Sequence, residues 1–393
     1  MPYTTPVASY STTVNGTYTV LTGIQTISIN RGRQRFQDPF SQSSCVIELI
    51  PANSYATALA VGQYIDVRDS NSASSPSYFV GRITDVNRSY DMPYNAGTGA
   101  APGDRITILA TGGTGVIGAK LYDNASFGSG PTQIYEQIVT NQSLGRAIIC
   151  LPDPFVSGYV TPPASAVSNY SGSALDLLNK YLRTDQLLLD DYDSKRTSSG
   201  GYTTFTTIAP LAYDTATYAF TDNTSSGNYV GVDYMSSVQN SFDVVQVAPA
   251  GLAIQTASLS SSIDNTLRYD TINANTTDAL SLANFILATN NQPTAVPFNI
   301  TTNTLVNSTC LSLAKIPRPT GVVLDVPANF PIGSTATIAF RGTNVSGTVQ
   351  GVQTTFYVDY ASVQVFFSAT LGTPFVLNST TNGILNTNVL GYP

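Results

Sequence analysis

The sequence predicts a mainly β fold with an α+β insertion, on three observations. Apolar and polar residues alternate with a period near two through most of residues 17–112, and again over the last hundred residues. Helical periodicity is confined to a few short stretches between these regions. Hydrophobic residues make up 42% of the chain and charged residues only 10%, which indicates a globular protein with a neutral polar surface.

These patterns divide the 393 residues into three predicted domains. Residues 1–112 are predicted to form an N-terminal β-barrel domain, because five or six strands follow one another without helical periodicity. Residues 113–250 are predicted to form an α+β middle domain. Residues 251–393 are predicted to form a C-terminal β-rich domain that ends in a docking tail.

The first domain contains the clearest strand patterns. Its predicted strands are 27–29, 46–50, 64–67, 78–86 and 105–110. Residues 91–103 form a loop rich in Gly, Ala, Pro and Asn, which separates the last two of these strands.

The second and third domains mix helices with strands. Gly130-Pro131 predicts a helix start. Ser173 and Asp176 have the spacing of a capping box at the start of a helix over 174–184. A third helix is predicted over 278–289. The remaining predicted strands are 187–189 with 202–205 as a hairpin, 242–247, 322–326, 335–340, the pair 345–351 and 354–358, and 362–369.

The segment after residue 29 concentrates basic charge. Arg31, Arg33 and Arg35 lie within five residues, in a chain with only 17 basic residues, and Phe36 and Phe40 follow them. Arginine and aromatic side chains dominate the residues that carry binding energy in protein interfaces. The segment is therefore predicted to be a loop that docks onto another protein. The alternative is that the arginines are solvated and the two phenylalanines cap the core.

The tail supplies two further candidates for the assembly interface. Residues 375–392 are apolar at intervals, which predicts that the tail docks on its own chain or on a neighbouring one. Leu390 and Tyr392 are the residues that we assign to this contact.

The composition excludes the commonest catalytic sites. The chain has no histidine, which removes every Ser-His or Cys-His nucleophile arrangement and the commonest metal ligand. Glu48 and Glu136 are the only glutamates. We find no catalytic set and predict that the protein is not an enzyme and binds no cofactor or metal.

Two patterns superficially suggest ligand sites. The run Asp190, Asp191 and Asp193 offers carboxylates for Ca²⁺, but it lacks the glycine and the glutamate of an EF-hand, so a solvated hairpin turn is favoured. Residues 112–118 are glycine-rich and follow a strand, yet their spacing does not fit a dinucleotide-binding loop. We interpret them as a domain linker.

Charge and cysteine content give expectations about partners and compartment. A net charge of −7 argues against specific nucleic-acid binding. Cys45, Cys150 and Cys310 lack metal-site spacing and predict either buried free thiols, formed in a reducing cytoplasm, or one disulfide and one free thiol. The sequence shows no signal peptide and no apolar run long enough to span a membrane.

Several segments, in order along the chain, resemble those of phage minor tail proteins. They are 29–33 (INRGR) with 46–49 (VIEL), 62–67 (GQYIDV) with 79–86 (FVGRITDV), 173–178 (SALDLL), 330–333 (FPIG) with 349–352 (VQGV), and the ending at 375–377 (FVL), 383–385 (GIL) and 389–392 (VLGY). The chain departs from the pattern at 51–54, where many members of the family have an Asn-x-Asp-Gly turn, and residues 205–240 match nothing in it.

The resemblance implies a hub-like ring subunit of the tail tip or baseplate of long-tailed bacteriophages. Its expected fold is tail-tube-like β-barrel or sandwich domains with a smaller helix-containing domain. The implied partners are further copies in a homotrimer, the tail tube and distal tail proteins, the tape-measure protein and receptor-binding or fibre proteins. The protein would be assembled in the host cytoplasm and reside in the virion tail. The alternative function is a carbohydrate-binding adhesin or receptor-binding tail protein.

Overall fold

The computed structural model describes most of the chain. The described residues are 3–13, 16–51, 58–72, 75–90, 104–128, 150–151, 167–185, 188–193, 203–208, 217–223, 225–235, 241–259, 265–289, 296–316 and 332–369. The predicted helix start at Gly130-Pro131, the predicted strand 322–326, and Leu390 and Tyr392 of the tail lie outside these residues.

Strands dominate the described residues, which confirms the predicted fold class. The strands are β1 Val7–Ser11, β2 Thr19–Val20, β3 Ile24–Gly32, β4 Ser44–Leu49, β5 Tyr64–Arg68, β6 Ser77–Ser89, β7 Arg105–Thr111, β8 Leu121–Phe127, β9 Cys150–Leu151, β10 Val167–Ser173, β11 Leu188–Asp193, β12 Thr203–Ile208, β13 Thr217–Thr221, β14 Gly231–Met235, β15 Val244–Pro249, β16 Gln255–Ser258, β17 Thr266–Thr271, β18 Val296–Asn303, β19 Thr335–Phe340, β20 Thr343–Phe356 and β21 Ala361–Ala369. The helices are α1 Gly113–Gly118, α2 Ala174–Asp185, α3 Thr276–Thr289 and a 3₁₀ turn at Cys310–Ser312.

The first part of a 13-stranded sheet closes into a barrel. Its strands follow the order β3-β4-β7-β6-β5-β1-β2. Strands β2 and β3 lie at opposite ends of this run, yet only residues 21–23 separate them in the chain. The sheet must therefore curl until its two ends meet. The long strand β6 makes the curl possible, because it pairs with β5 along one half and with β7 along the other.

The second part of the same sheet repeats this design. Its order is β13-β19-β20-β21-β18-β14, and the long strand β20 pairs with β19 in one half and with β3 in the other. The two ends of this run approach each other, because the Tyr234 ring of β14 lies 4.9 Å from the Phe340 ring of β19, the strand next to β13. The Tyr229 hydroxyl also donates to the Ala339 carbonyl at 3.2 Å. The pairing of β20 with β3 joins the two barrel units.

The predicted strand pair 345–351 and 354–358 is one strand, β20. The ladder between β20 and β21 shifts register between Val349 and Gly351 and then continues to Phe356. The irregularity is a bulge, and a bulge bends a strand without ending it. The prediction of two strands was therefore wrong.

Two predicted helices are confirmed, and a side-chain cap lies at the start of each. The Asp176 amide donates to Ser173 Oγ at 3.0 Å at the start of α2. The Asp278 amide donates to Asn275 Oδ1 at 2.8 Å at the start of α3, which begins slightly earlier than predicted. Helix α3 packs on the small sheet β16-β15-β17. No helix among the described ranges is long and apolar enough to cross a membrane.

Within the described ranges, the buried residues form three hydrophobic cores. The first fills the two barrel units and includes Ile27, Ile47 and Val363. The second lies around α2, and the third lies between α3 and its sheet. Strands from the first and third predicted domains share one sheet, through β3 and β20. The boundaries at 112/113 and 250/251 stay predictions.

Candidate functional site at the arginine loop

The candidate site is the arginine loop, residues 33–43, which connects β3 to β4, together with Arg31 near the end of β3. Arg31 belongs to β3 itself and is only 5% exposed, so the expectation that all three arginines lie in the loop was wrong. The chain leaves the strand at Gly32, whose φ of +80° and close approach to the Gln350 carbonyl leave no space for a Cβ. This turn sends Arg31 inward and carries Arg33 towards β20.

Arg31 ties three distant parts of the chain together. Its Nη1 donates to both carboxylate oxygens of Asp190, at 3.1 and 3.2 Å. Its Nη2 donates to the Ala314 carbonyl at 3.0 Å and, at longer distance, to the Leu313 and Lys315 carbonyls. The Arg31 and Asp190 side chains are 2% and 0% exposed. This ion pair is therefore an internal link of the subunit.

The predicted solvated turn at Asp190 and Asp191 was wrong, because both residues are buried in β11. The Ser43 hydroxyl donates to Asp191 Oδ2, whereas Oδ1 has no hydrogen-bond partner in the described part of the chain. Burial raises the pKa of Asp191 to about 7. Burial also raises the pKa of Asp190 to about 6, against the opposing effect of the Arg31 charge. Among the described residues no group of three His, Cys, Asp or Glu side chains is placed to hold a metal.

Arg33 is half-buried and contacts neutral groups. Its Nε donates to Gln350 Oε1 at 2.8 Å, and its Nη1 donates to the Asp38 carbonyl at 3.3 Å. The guanidinium carbon lies 4.4 Å from the centre of the Phe40 ring and 5.1 Å from that of Phe36. Such contacts are cation–π interactions. Burial lowers the pKa of Arg33 to about 10, and the nearby charge of Arg183 acts in the same direction.

The two phenylalanines fasten the loop to two cores. Phe36 is buried in the third core, where its ring lies 6.5 Å from that of Tyr269. Phe40 is buried in the second core. The Phe40 amide donates to Asn179 Oδ1 at 2.8 Å, and Asn179 Nδ2 donates to the Phe40 carbonyl at 3.1 Å. The loop therefore joins the barrel to both smaller units.

Arg35 is the arginine of the loop that faces solvent. Its side chain is 38% exposed, and Nη2 and Nε donate to Asp38 at 3.0 and 3.2 Å. Gln34 and Pro39 beside it are exposed. A cavity of about 400 Å³ opens here. It is lined by Asn30, Arg31, Gly32, Arg33, Gln34, Asp38, Pro39, Ser41, Val352, Gln353 and Phe366.

The predicted interface residues thus have different environments, and their role in assembly stays a prediction. Arg31, Phe36 and Phe40 contact the interior of their own chain, whereas Arg33 and Arg35 reach the surface. Sequence reasoning missed the partners Asp190, Asn179 and Gln350, because they are 159, 139 and 317 residues away from the loop residues that they contact. No local pattern connects positions so far apart.

Cys45 and Cys310 have the first of the two predicted states, that of buried free thiols. Both are free and buried. Burial raises the pKa of Cys310 to about 11 and raises the pKa of Cys45 further, so neither is a reactive thiolate at neutral pH. The side chain of Cys150 lies outside the described residues.

The architecture is that of solved phage tail proteins. The 43 kDa tail protein of prophage MuSo2 from Shewanella oneidensis matches with a TM-score of 0.55 and 12% identity over 93% of this chain and 98% of its own. A tail protein from Neisseria meningitidis MC58 matches with a TM-score of 0.54 and 10% identity, over 93% and 96% of the two chains. Prophage tail protein gp18 from Listeria monocytogenes EGD-e matches with a TM-score of 0.51 and 9% identity, over 93% and 95%.

Sequence comparison adds nothing to this likeness. No protein-family model matches the chain, and no curated protein matches it significantly. The resemblance to phage tail proteins is confirmed by the structure, at the level of the fold. The chain has the fold of phage tail proteins.

Proposed function

We propose that this protein is a structural component of a bacteriophage tail tip or baseplate, which links the tail tube to distal adhesion proteins. The observation that carries the proposal is the match of nearly the whole chain to nearly the whole of three tail proteins. Because the match extends over all three cores, the similarity is one of complete architecture and not of a single widespread domain. Fold alone does not fix function, so the role needs its own test.

The architecture suits a part that transmits force. The two barrel units belong to one hydrogen-bonded sheet, and the arginine loop fastens both smaller cores to it. A load applied to one unit therefore passes to the others through strands and buried contacts. The lack of histidine in the sequence and the low fraction of charged residues fit a subunit without catalysis whose faces are covered by neighbours.

The proposal includes the partners that the sequence resemblance implies. Copies of the subunit form a ring, expected to be a trimer, between the tail tube and the receptor-binding or fibre proteins. The ring contacts the end of the tape-measure protein and holds the adhesion proteins during attachment and DNA ejection. The surface part of the arginine loop, with Arg35 and Gln34, is the proposed assembly contact.

Electron microscopy of virions with a gold label on this protein tests the placement. Phage particles that carry a C-terminally tagged copy are expected to show the label at the distal end of the tail. Untagged virions processed in parallel control for non-specific gold. A label on the head or collar would contradict the tail-tip assignment.

The alternative, a carbohydrate-binding adhesin, is favoured by a second cavity of about 450 Å³. Its lining includes Tyr3 and the buried Tyr78, together with the Asp69 carboxylate and the Lys315 ammonium group, which are 2.8 Å apart. Hydroxyl side chains complete the lining. Charged and hydroxyl groups that can hydrogen-bond a sugar therefore lie beside one partly exposed aromatic residue, Tyr3.

A glycan array with the isolated full-length protein separates the two functions. The structural proposal predicts no specific glycan signal. Specific binding that is lost in Asp69→Ala but kept in Asp359→Ala, an exposed aspartate outside the cavity lining, would favour the adhesin instead.

A further inference from the structure

Two guanidinium groups line the 400 Å³ cavity, and their partners differ. Arg31 uses both terminal nitrogens, on the Asp190 carboxylate and on three carbonyls. Arg33 contacts only neutral acceptors, the Gln350 amide oxygen and the Asp38 carbonyl. Arg33 Nη2 donates to no group in the described segments. Arg33 therefore keeps its Nη2 donors for a further acceptor, whereas both terminal nitrogens of Arg31 are occupied.

The charges around the cavity leave an excess of positive charge at Arg33. The Asp38 carboxylate lines the cavity too, but both its oxygens accept hydrogen bonds from Arg35. Asp190 is paired with Arg31. Arg183 lies close enough for its charge to act on Arg33, against the opposing charge of Asp38. A half-buried cation of this kind, in a chain with net charge −7, is costly unless an anion approaches it.

We propose that this cavity binds a carboxylate side chain from an acidic polypeptide segment, and that Arg33 is its ligand. A guanidinium binds a carboxylate through two parallel N–H donors, which gives both energy and orientation. The amide and hydroxyl groups of Asn30, Gln34, Ser41 and Gln353 lie around it and can bond the backbone of such a segment. The volume matches a short stretch of peptide.

The exposed positions of Gln34 and Pro39 place the cavity mouth at the surface, where a neighbouring chain can reach it. A second copy of this protein is one source of carboxylate side chains, since the chain carries 24 acidic residues. The inference follows from charges and hydrogen bonds, so it does not rest on the tail assignment. Its failure would leave that assignment untouched.

Isothermal titration calorimetry of the full-length protein tests the proposal. The probe is acetylated tetraglutamate amide at low ionic strength, with tetraglutamine as the uncharged counterpart. The wild type is expected to bind tetraglutamate saturably, and Arg33→Gln is expected to weaken this binding at least tenfold. Arg105→Gln, which removes an exposed arginine elsewhere, is the matched control and is expected to change the affinity less than twofold.

A second variant guards against a folding defect in Arg33→Gln, since Arg33 packs on two phenylalanines. Gln34→Glu adds a negative charge at the exposed rim and leaves these contacts intact, and it is also expected to weaken binding. The absence of binding in the wild type, or equal binding by all variants, would overturn the proposal. Binding of inorganic phosphate through Arg33 without binding of tetraglutamate would also overturn it, in favour of a free-anion site.

Discussion

Arg31 and Arg35 lie four residues apart, and each pairs with an aspartate, yet the two pairs have opposite characters. Arg31 reaches Asp190 across 159 residues, and both side chains are almost fully buried. Arg35 pairs with Asp38 only three residues later, and both side chains are partly exposed. One cluster of basic residues thus supplies an internal link and a surface group. Burial, and not charge, separates the two roles.

The largest effect is expected from Arg31→Met. The substitution leaves Asp190 buried without its partner, which costs about 3–5 kcal/mol of unfolding free energy. Denaturant unfolding of the purified protein measures this loss. The double variant Arg31→Met with Asp190→Leu removes both charges and is expected to recover most of the stability. A single variant as stable as the wild type would show that the ion pair is not the link described here.

The second effect concerns the attachment of Phe40 to the core around α2. Asn179→Ala removes the partners of the Phe40 amide and carbonyl, and two buried unsatisfied groups cost about 2–4 kcal/mol together. Thermal unfolding measures the change. Asn344→Ala, at an exposed position of β20, is the matched control and is expected to change the stability little. Equal effects of the two substitutions would show that Asn179 does not attach Phe40 to the core around α2.

The third effect is a pH dependence caused by Asp191. Its pKa is raised to about 7 in the folded state, so folding favours the protonated carboxyl. The stability that this group contributes is present below its unfolded pKa, about 4, and is lost as the pH rises through 7. Wild-type stability is therefore expected to fall over this window relative to Asp191→Asn, by up to about 4 kcal/mol.

Thermal unfolding of both proteins at intervals between pH 4 and 8 measures this difference. Burial raises the pKa of Asp190 as well, and its charge acts on Asp191, so the comparison reports the titration of the coupled pair. Parallel stability curves for the wild type and Asp191→Asn would contradict the assigned environment of Asp191.

The smallest effect on stability is expected from a change at Arg35. Arg35→Glu breaks a partly exposed ion pair, and such pairs contribute about 0–1 kcal/mol. Arg33 packs on Phe36 and Phe40, so the single change at Arg35 is the cleaner test of the surface. A loss of unfolding free energy as large as that of Arg31→Met would show that Arg35, like Arg31, is an internal link of the subunit.

The sequence predicted the features of the fold that depend on neighbouring residues. Strand periodicity located the barrel strands, and the Ser173 cap located helix α2. Prediction from the sequence failed where distant segments of the chain determine whether a residue is buried. Asp190 and Asp191 have the composition of a turn, but Arg31 and Ser43 bury them from another part of the chain. The arginine loop was found by its charge, whereas its attachment to two cores depends on Asn179 and Tyr269, which no local pattern reveals.

The most direct test of the proposed structural role in the tail is electron microscopy of particles from phage whose only copy carries Arg35→Glu. The account predicts soluble, folded subunits in the lysate together with incomplete tails, because the change alters a surface contact and not the fold. Phage with Arg105→Gln are expected to assemble normally. Complete, infectious tails at the wild-type level with Arg35→Glu would contradict the claim that this surface is an assembly contact.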